Sequence, residues 1–271
     1  MFLPDNIDFT ESKTYILSIR LTPSGFYFSV HSPSNEKVFY QNNVQFGTNS
    51  DYLKNIEKLI FDYSFFTYNY RQINVICVDD KTTIVPNEFH EKKLESDFLS
   101  YNCLNPRLQV ISNEISELDC KVVWSMDTSV HSFLSRTLLN PNFVNHLSLL
   151  VPYFYKLHDN STSALFVNFN DDKLIDTIAF REKKLILAKT FHANNQLEEN
   201  YYIQKTWEAL QLDVQADMLY FSGRISNHNE CIDTFTKVVS KTKNLSFELP
   251  RSMEIKHEEF PIEILIQLCE S

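Results

Sequence analysis

The chain has 271 residues, 43% hydrophobic and 22% charged, a globular composition that excludes disorder of the whole chain. Its formal net charge of -10 repels a phosphate backbone, so nucleic acid is not an expected partner. The longest apolar stretch, Leu147 to Leu157, contains Pro152 and is too short to span a bilayer.

Tyr15 to Leu21 alternates and is rich in β-formers, which predicts a strand. Thr22-Pro23-Ser24-Gly25 reads as a turn, Phe26 to His31 as the return strand, and Val38 to Val44 as a third strand. Ser50 is the expected cap of a helix that places Leu53, Ile56 and Ile60 on one face. Ile73 to Val78 is nearly continuous in apolar residues, as in a strand covered on both faces. A helix is predicted over Glu88 to Tyr101, with Leu94, Phe98 and Tyr101 in register. Lys121 to Met126 is a strand, and Asp127 or Thr128 caps a helix bearing Val130, Leu134 and Leu138.

The polar run His158 to Ser163 marks the expected domain boundary, giving units 1–157 and 158–271. The order then restarts. Ala164 to Phe169, Leu174 to Phe180 and Leu185 to Phe191 read as strands joined by turns at Asn170-Asp171-Asp172-Lys173 and Arg181 to Lys184. A helix from about Gln196 carries Ile203, Trp207 and Leu210, and Asp217 to Ser222 is a buried strand. A helix with Ile232, Phe235 and Val239, a strand over Leu245 to Leu249 and a helix over Ile262 to Leu268 complete the list.

The second set follows the first at about 146 to 149 positions, as a duplication would. Two halves of this form resemble the actin-like ATPase superfamily of actin, heat-shock chaperone ATPases and sugar kinases. The likeness is closer to the pilus-assembly actin homologues. It is closer still to a bacteroidete family of unknown function, whose motif resembles Thr83-Ile84-Val85-Pro86 followed by Glu88-Phe89. The resemblance implies an α/β fold of two similar ribonuclease H-like subdomains, each a mixed β-sheet flanked by helices.

In that superfamily a hairpin opens each half and cups the nucleotide phosphates. Each hairpin carries Asp-x-Gly, the Asp to organise Mg²⁺ and the Gly to let the backbone approach phosphate. Laid on this chain, the pattern puts Arg20 and Thr22 at the first Asp and Gly positions, and Asn168 and Asn170 at the second pair. A later Gly-Gly turn that touches the adenosine becomes Gly223-Arg224. The chain holds three glycines in all, few for a backbone that must wrap a triphosphate. Losing one such charge costs catalysis about 10²-fold or more, so turnover is expected to be poor or absent.

Asp79 follows the strand whose end carries the general base of sugar kinases in the superfamily, which makes it the catalytic candidate if the protein is an enzyme. The alternative for Asp79-Asp80 is a solvated turn. His90-Glu91 opens like a zinc-protease helix, but Leu94 stands where the second His is required. Cys77, Cys103, Cys120, Cys231 and Cys269 form no close pair, so reduced thiols and a cytoplasmic location are expected, with no metal site. Met1 to Asp5 does not read as a signal peptide. Phe61 to Tyr70 contains six aromatic residues, either core packing or a docking surface for a protein partner.

The expectation is therefore a non-catalytic, actin-like binding or scaffold protein without a cofactor. The competing reading is an ATP-dependent phosphotransferase or ATPase that binds ATP and Mg²⁺ between its subdomains, with Arg20 clamping phosphate.

Overall fold

The computed structural model describes residues 7–47, 51–101, 108–159, 162–245 and 260–269. Strands β1 (Ile16–Thr22), β2 (Gly25–Ser32) and β3 (Asn35–Gln45) form an antiparallel meander. Helix α1 (Tyr52–Asp62) follows, and β4 (Gln72–Cys77) returns parallel to β1. The cap of α1 is Asp51, whose carboxylate accepts from the Lys54 amide; Ser50 lies outside the described residues.

Next comes an inserted unit. Strands β5 (Thr82–Pro86), β6 (Leu108–Ile115) and β7 (Cys120–Asp127) form their own antiparallel sheet in the order β5-β7-β6, with α2 (Glu95–Ser100) packed beside it. The helix expected over Glu88 to Tyr101 is thus much shorter. Two 3-10 turns, Asn87–Phe89 and Lys92–Leu94, are separated by extended backbone at His90 and Glu91, which resets the helical phase. Leu99 is buried in consequence, and Tyr101 is exposed.

Helix α3 (Thr128–Thr137) begins where Asp127 accepts from the amides of Ser129 and Val130. It leads to β8 (Asn142–Asn145), parallel to β4, completing a sheet of order β3-β2-β1-β4-β8. Helix α4 (His146–Leu157) then crosses to the second lobe.

There β9 (Ala164–Phe169), β10 (Leu174–Arg181) and β11 (Lys184–His192) form another meander. Helix α5 (Gln196–Ala209), strand β12 (Met218–Gly223), helix α6 (Asn229–Thr236) and strand β13 (Thr242–Asn244) give the order β11-β10-β9-β12-β13. The two five-stranded sheets share one topology. The final strand lies earlier than the predicted Leu245 to Leu249, of which residues 246–249 fall outside the described ones. Helix α7 (Ile262–Cys269) returns to the first lobe.

Strand alternation decides what faces what. Leu17, Ile19 and Leu21 join the core that includes Ile56 and Ile60 of α1 and Val130 and Leu134 of α3. The opposite face of the first sheet presents Tyr27 and Ile76, against which Phe260, Ile264 and Leu265 pack. In the second sheet, Leu165, Val167 and Phe169 meet α5 and α6, while Phe166, Ile178 and Tyr220 meet α4. Both crossing helices therefore lie between the sheets.

Half of the six aromatic residues in Phe61 to Tyr70 are core, and Tyr63 is half-buried. Phe65, Phe66 and Tyr70 are buried, with the Phe65 and Phe66 ring centroids 5.4 and 4.9 Å from Phe28. Phe61, 71% exposed, and the partly exposed Tyr68 are what remain for solvent or a partner.

Candidate functional site

The rung Tyr27–Arg20–Ile76 in the first sheet matches the rung Asp176–Asn168–Ser222 in the second. Register thus sets Arg20 and Asn168 at equivalent positions, on the faces that look toward the other lobe. Thr22 ends β1, and Asn170 is the first residue after β9.

The turn after β9 gives the site its shape. Asp172 and Lys173 both adopt positive φ, 58° and 61°, and the Leu174 amide donates to Asp171 O. This is the geometry of a tight hairpin turn whose twist suits its strands. It delivers Asp171 and Asp172 to the opposing lobe.

Arg20 Nη1 donates to Asp171 Oδ2 at 2.9 Å, Nη2 to Asn170 Oδ1 at 3.3 Å, and Nε to Glu263 Oε2 of α7 at 3.1 Å. Arg224 Nε pairs with the other oxygen of Asp171, so one carboxylate lies between two guanidinium groups. Asp172 accepts from the Ser24 amide at 3.0 Å and from the Ser24 hydroxyl. Burial opposes the charge on Arg20, but Glu263 and Asp171 outweigh it and hold the guanidinium above its ordinary range. A space of about 10 Å³ remains beside Arg20, Thr22, Tyr27, Asp171 and Arg224, roughly the room that one water needs.

The polar junction continues inward. Asn168 and Asn170 donate to Asp176 Oδ2, at 3.0 and 2.5 Å, and Ser222 donates to Asn168 Oδ1. Asp176 Oδ1 lies 2.9 Å from His146 Nε2 and accepts from Thr190. His146 Nδ1 faces the Cys77 carbonyl at 3.2 Å. Burial pushes the imidazole down, but the Asp176 carboxylate overcomes this and the net displacement is upward. Burial likewise raises Asp176, and His146 more than reverses it. With both ring nitrogens facing acceptors, an imidazolium satisfies the arrangement.

Gly223 stands at φ 78°, where a Cβ would come within 2.3 Å of the Phe169 carbonyl oxygen. Its place in the chain is explained by this close approach to β9.

Asp79 belongs elsewhere. It lines a cavity of about 460 Å³ bounded by the end of β4, by β7 and α3, and by Leu174 and His192 of the second lobe. Its carboxyl accepts from the Lys81 amide at 3.1 Å and lies 3.6 Å from Lys81 Nζ. Burial, with a hydrogen bond to Asp80, pushes it up to about 6.

The structure therefore gathers Arg20, Asn168, Asn170 and Arg224 at one junction and places Asp79 in a larger neighbouring cavity, with Thr22 lining both spaces. In the sequence Asp171 and Asp172 read only as turn residues, and His146, Asp176 and Glu263 carry no signal of a role. A cue for the turn was the consecutive Asp171-Asp172 itself; nothing in the sequence pairs either with β1. Among the described residues, no group of three or more His, Cys, Asp or Glu side chains is arranged to hold a metal. His90 instead lies 2.8 Å from Glu95.

Two lobes of this topology, with crossing helices between them, define the actin-like ATPase fold. A protein with that fold and unknown function from Bacteroides thetaiotaomicron VPI-5482 superposes with a TM-score of 0.84 at 22% identity, covering 97% of this chain and 98% of its own. The PilM-PilN type IV pilus biogenesis complex contributes a chain with a TM-score of 0.55 at 11% identity, covering 94% of this chain and 97% of that one. No curated protein matches the sequence. Residues 4–241 match the family described as "Protein of unknown function (DUF3822)", and the chain belongs to that family.

Proposed function

We propose that this protein is a non-catalytic member of the actin-like fold, a cytoplasmic binding or scaffold module in which the junction of the two opening hairpins is closed by its own side chains. One observation carries the reading: the Asp171 carboxylate lies between Arg20 and Arg224, where the fold's resemblance sets phosphate. About 10 Å³ beside it cannot admit a triphosphate. The Asp positions that would organise Mg²⁺ are Arg20 and Asn168, the one cationic and the other already bonded to Asp176 and Ser222. The PilM-PilN complex supports a binding role, since a chain of this fold there acts within an assembly.

Calorimetry with ATP and Mg²⁺ tests the proposal, and no heat of binding and no phosphate release are expected. Micromolar binding with release of phosphate overturns it.

The competing reading, a phosphotransferase using ATP, Mg²⁺ and Asp79 as base, draws on one observation. Asp79 is pushed up to about 6, a value suited to proton transfer near neutral pH, and it faces an open cavity. It requires the lobes to part and release Asp171. Under it, Asp79→Asn abolishes any transfer, and unchanged activity removes it.

A further inference from the structure

We infer that the cavity at the amino end of β4 holds the carboxyl terminus of a peptide whose last residue is apolar. This goes beyond the reading above and stands whether or not that reading holds. The cavity lies at the end of β4 opposite Asp79 and shares no residue with the hairpin junction.

The space, about 410 Å³, opens between the residues leading into β4 and the turn that carries α3 into β8. That volume is typical of small-molecule sites. The chain has 35 acidic and 25 basic residues, yet this wall includes no carboxylate and a single cation, Arg71. The Arg71 amide donates to the Tyr15 carbonyl at 3.0 Å, which fixes the backbone. Its guanidinium has no hydrogen bond or ion pair among the described residues.

The same wall includes two carboxamides held from behind. Gln72 Nε2 donates to Asn74 Oδ1 at 2.8 Å, and Asn142 Nδ2 to the same oxygen at 3.5 Å. Asn74 is 1% exposed and is fixed in turn by its bond to Gln267 of α7, at 2.7 Å. Among the described residues the side-chain oxygens of Gln72 and Asn142 have no partner. The wall thus offers a planar cationic fork together with two acceptors. A peptide carboxyl terminus has the matching set: a planar carboxylate for the fork and an amide N–H for an acceptor. A simple anion would use the fork and leave both acceptors idle. Leu139 of the same wall, 54% exposed, gives the last side chain an apolar contact.

The carboxamides are also the reporters. In NMR of the full isotope-labelled chain, acetyl-alanyl-alanyl-leucine should shift the side-chain amides of Gln72, Asn140 and Asn142 saturably. The same peptide with its carboxyl terminus amidated should leave them in place, and so should acetate. Arg71→Gln, at an exposed position, should bind the free-acid peptide about tenfold more weakly, the effect of losing a charge-assisted contact. The indole signal of Trp207, in the core of the second lobe, serves as the internal control for folding. Amides unmoved by the free-acid peptide, moved equally by the amidated peptide or by acetate, or moved with unchanged affinity in Arg71→Gln overturn the inference.

Discussion

Arg20 and Asp171 stand 2.9 Å apart across the two lobes, with side chains 2% and 20% exposed. Removing one member of a buried pair leaves the other without compensation, at a cost of about 3–5 kcal/mol. Arg20→Ala should approach that figure, because it strands Glu263 as well as Asp171. Asp171→Ala should cost less, about 2–3 kcal/mol, since Arg20 keeps Glu263. Urea denaturation measures both, and wild-type stability in either variant would show that the pair does not form in solution.

His146 and Asp176 form a second, fully enclosed pair. The imidazole is held above its ordinary 6.5, so its stabilisation is complete below pH 6.5 and fades as pH rises through the raised value. The carboxylate is held below its ordinary 3.8, so its stabilisation is present above that pH and fades as pH falls. His146→Gln should therefore cost most between about pH 4 and 6.5, roughly 3–5 kcal/mol, and less in alkali. A deficit independent of pH would contradict an ion pair.

Asp79 has the opposite sign. Its carboxyl is pushed up to about 6, so the folded protein binds a proton more tightly than the unfolded chain, and stability falls as pH rises from 3.8 to about 6. Asp79→Asn should therefore stabilise the protein at pH 7.5, by about 1–3 kcal/mol, with little gain at pH 4. Thermal unfolding at the two pH values checks this, and destabilisation at pH 7.5 would refute it.

The aromatic cluster separates by burial. Phe65→Ala should cost about 3–5 kcal/mol, because the ring is enclosed by Phe28 and Phe66. Phe61→Ala, at a residue 71% exposed, should cost under about 1 kcal/mol. If a partner docks on this segment, binding should depend on Phe61 and Tyr68; pull-down with each variant would show it.

Gly223→Ala should cost about 3 kcal/mol or more, as its Cβ would meet the backbone of Phe169 in a conformation that disfavours side chains. Comparable stability in the variant would mean that β12 and β9 are farther apart than described.

The duplicated sheets were legible because their strands alternate and recur in one order, from Ile16 to Cys77 and again from Ala164 to Gly223. Strands β5, β6 and β8 were not. Leu108 to Ile115 is half-buried and largely polar between its apolar positions, and Asn142 to Asn145 is only four residues long. Arg20 and Asn168 follow from the hairpin pattern and Arg224 from the later Gly-Gly turn, but what they touch does not. The carboxylate partners of Arg20 lie 151 and 243 positions away, in a turn and on a helix whose sequences say nothing of β1. Contacts made by tertiary approach leave no periodic trace.

Helix α7 has a consequence for synthesis. Glu263 lies 243 positions after Arg20, and Phe260, Ile264 and Leu265 cover Tyr27 and Ile76. A ribosome working from the amino end therefore finishes the opening sheet long before its covering segment emerges. The nascent first lobe must wait with a guanidinium that lacks Glu263 and an incompletely covered apolar face, a window in which chaperones would find it.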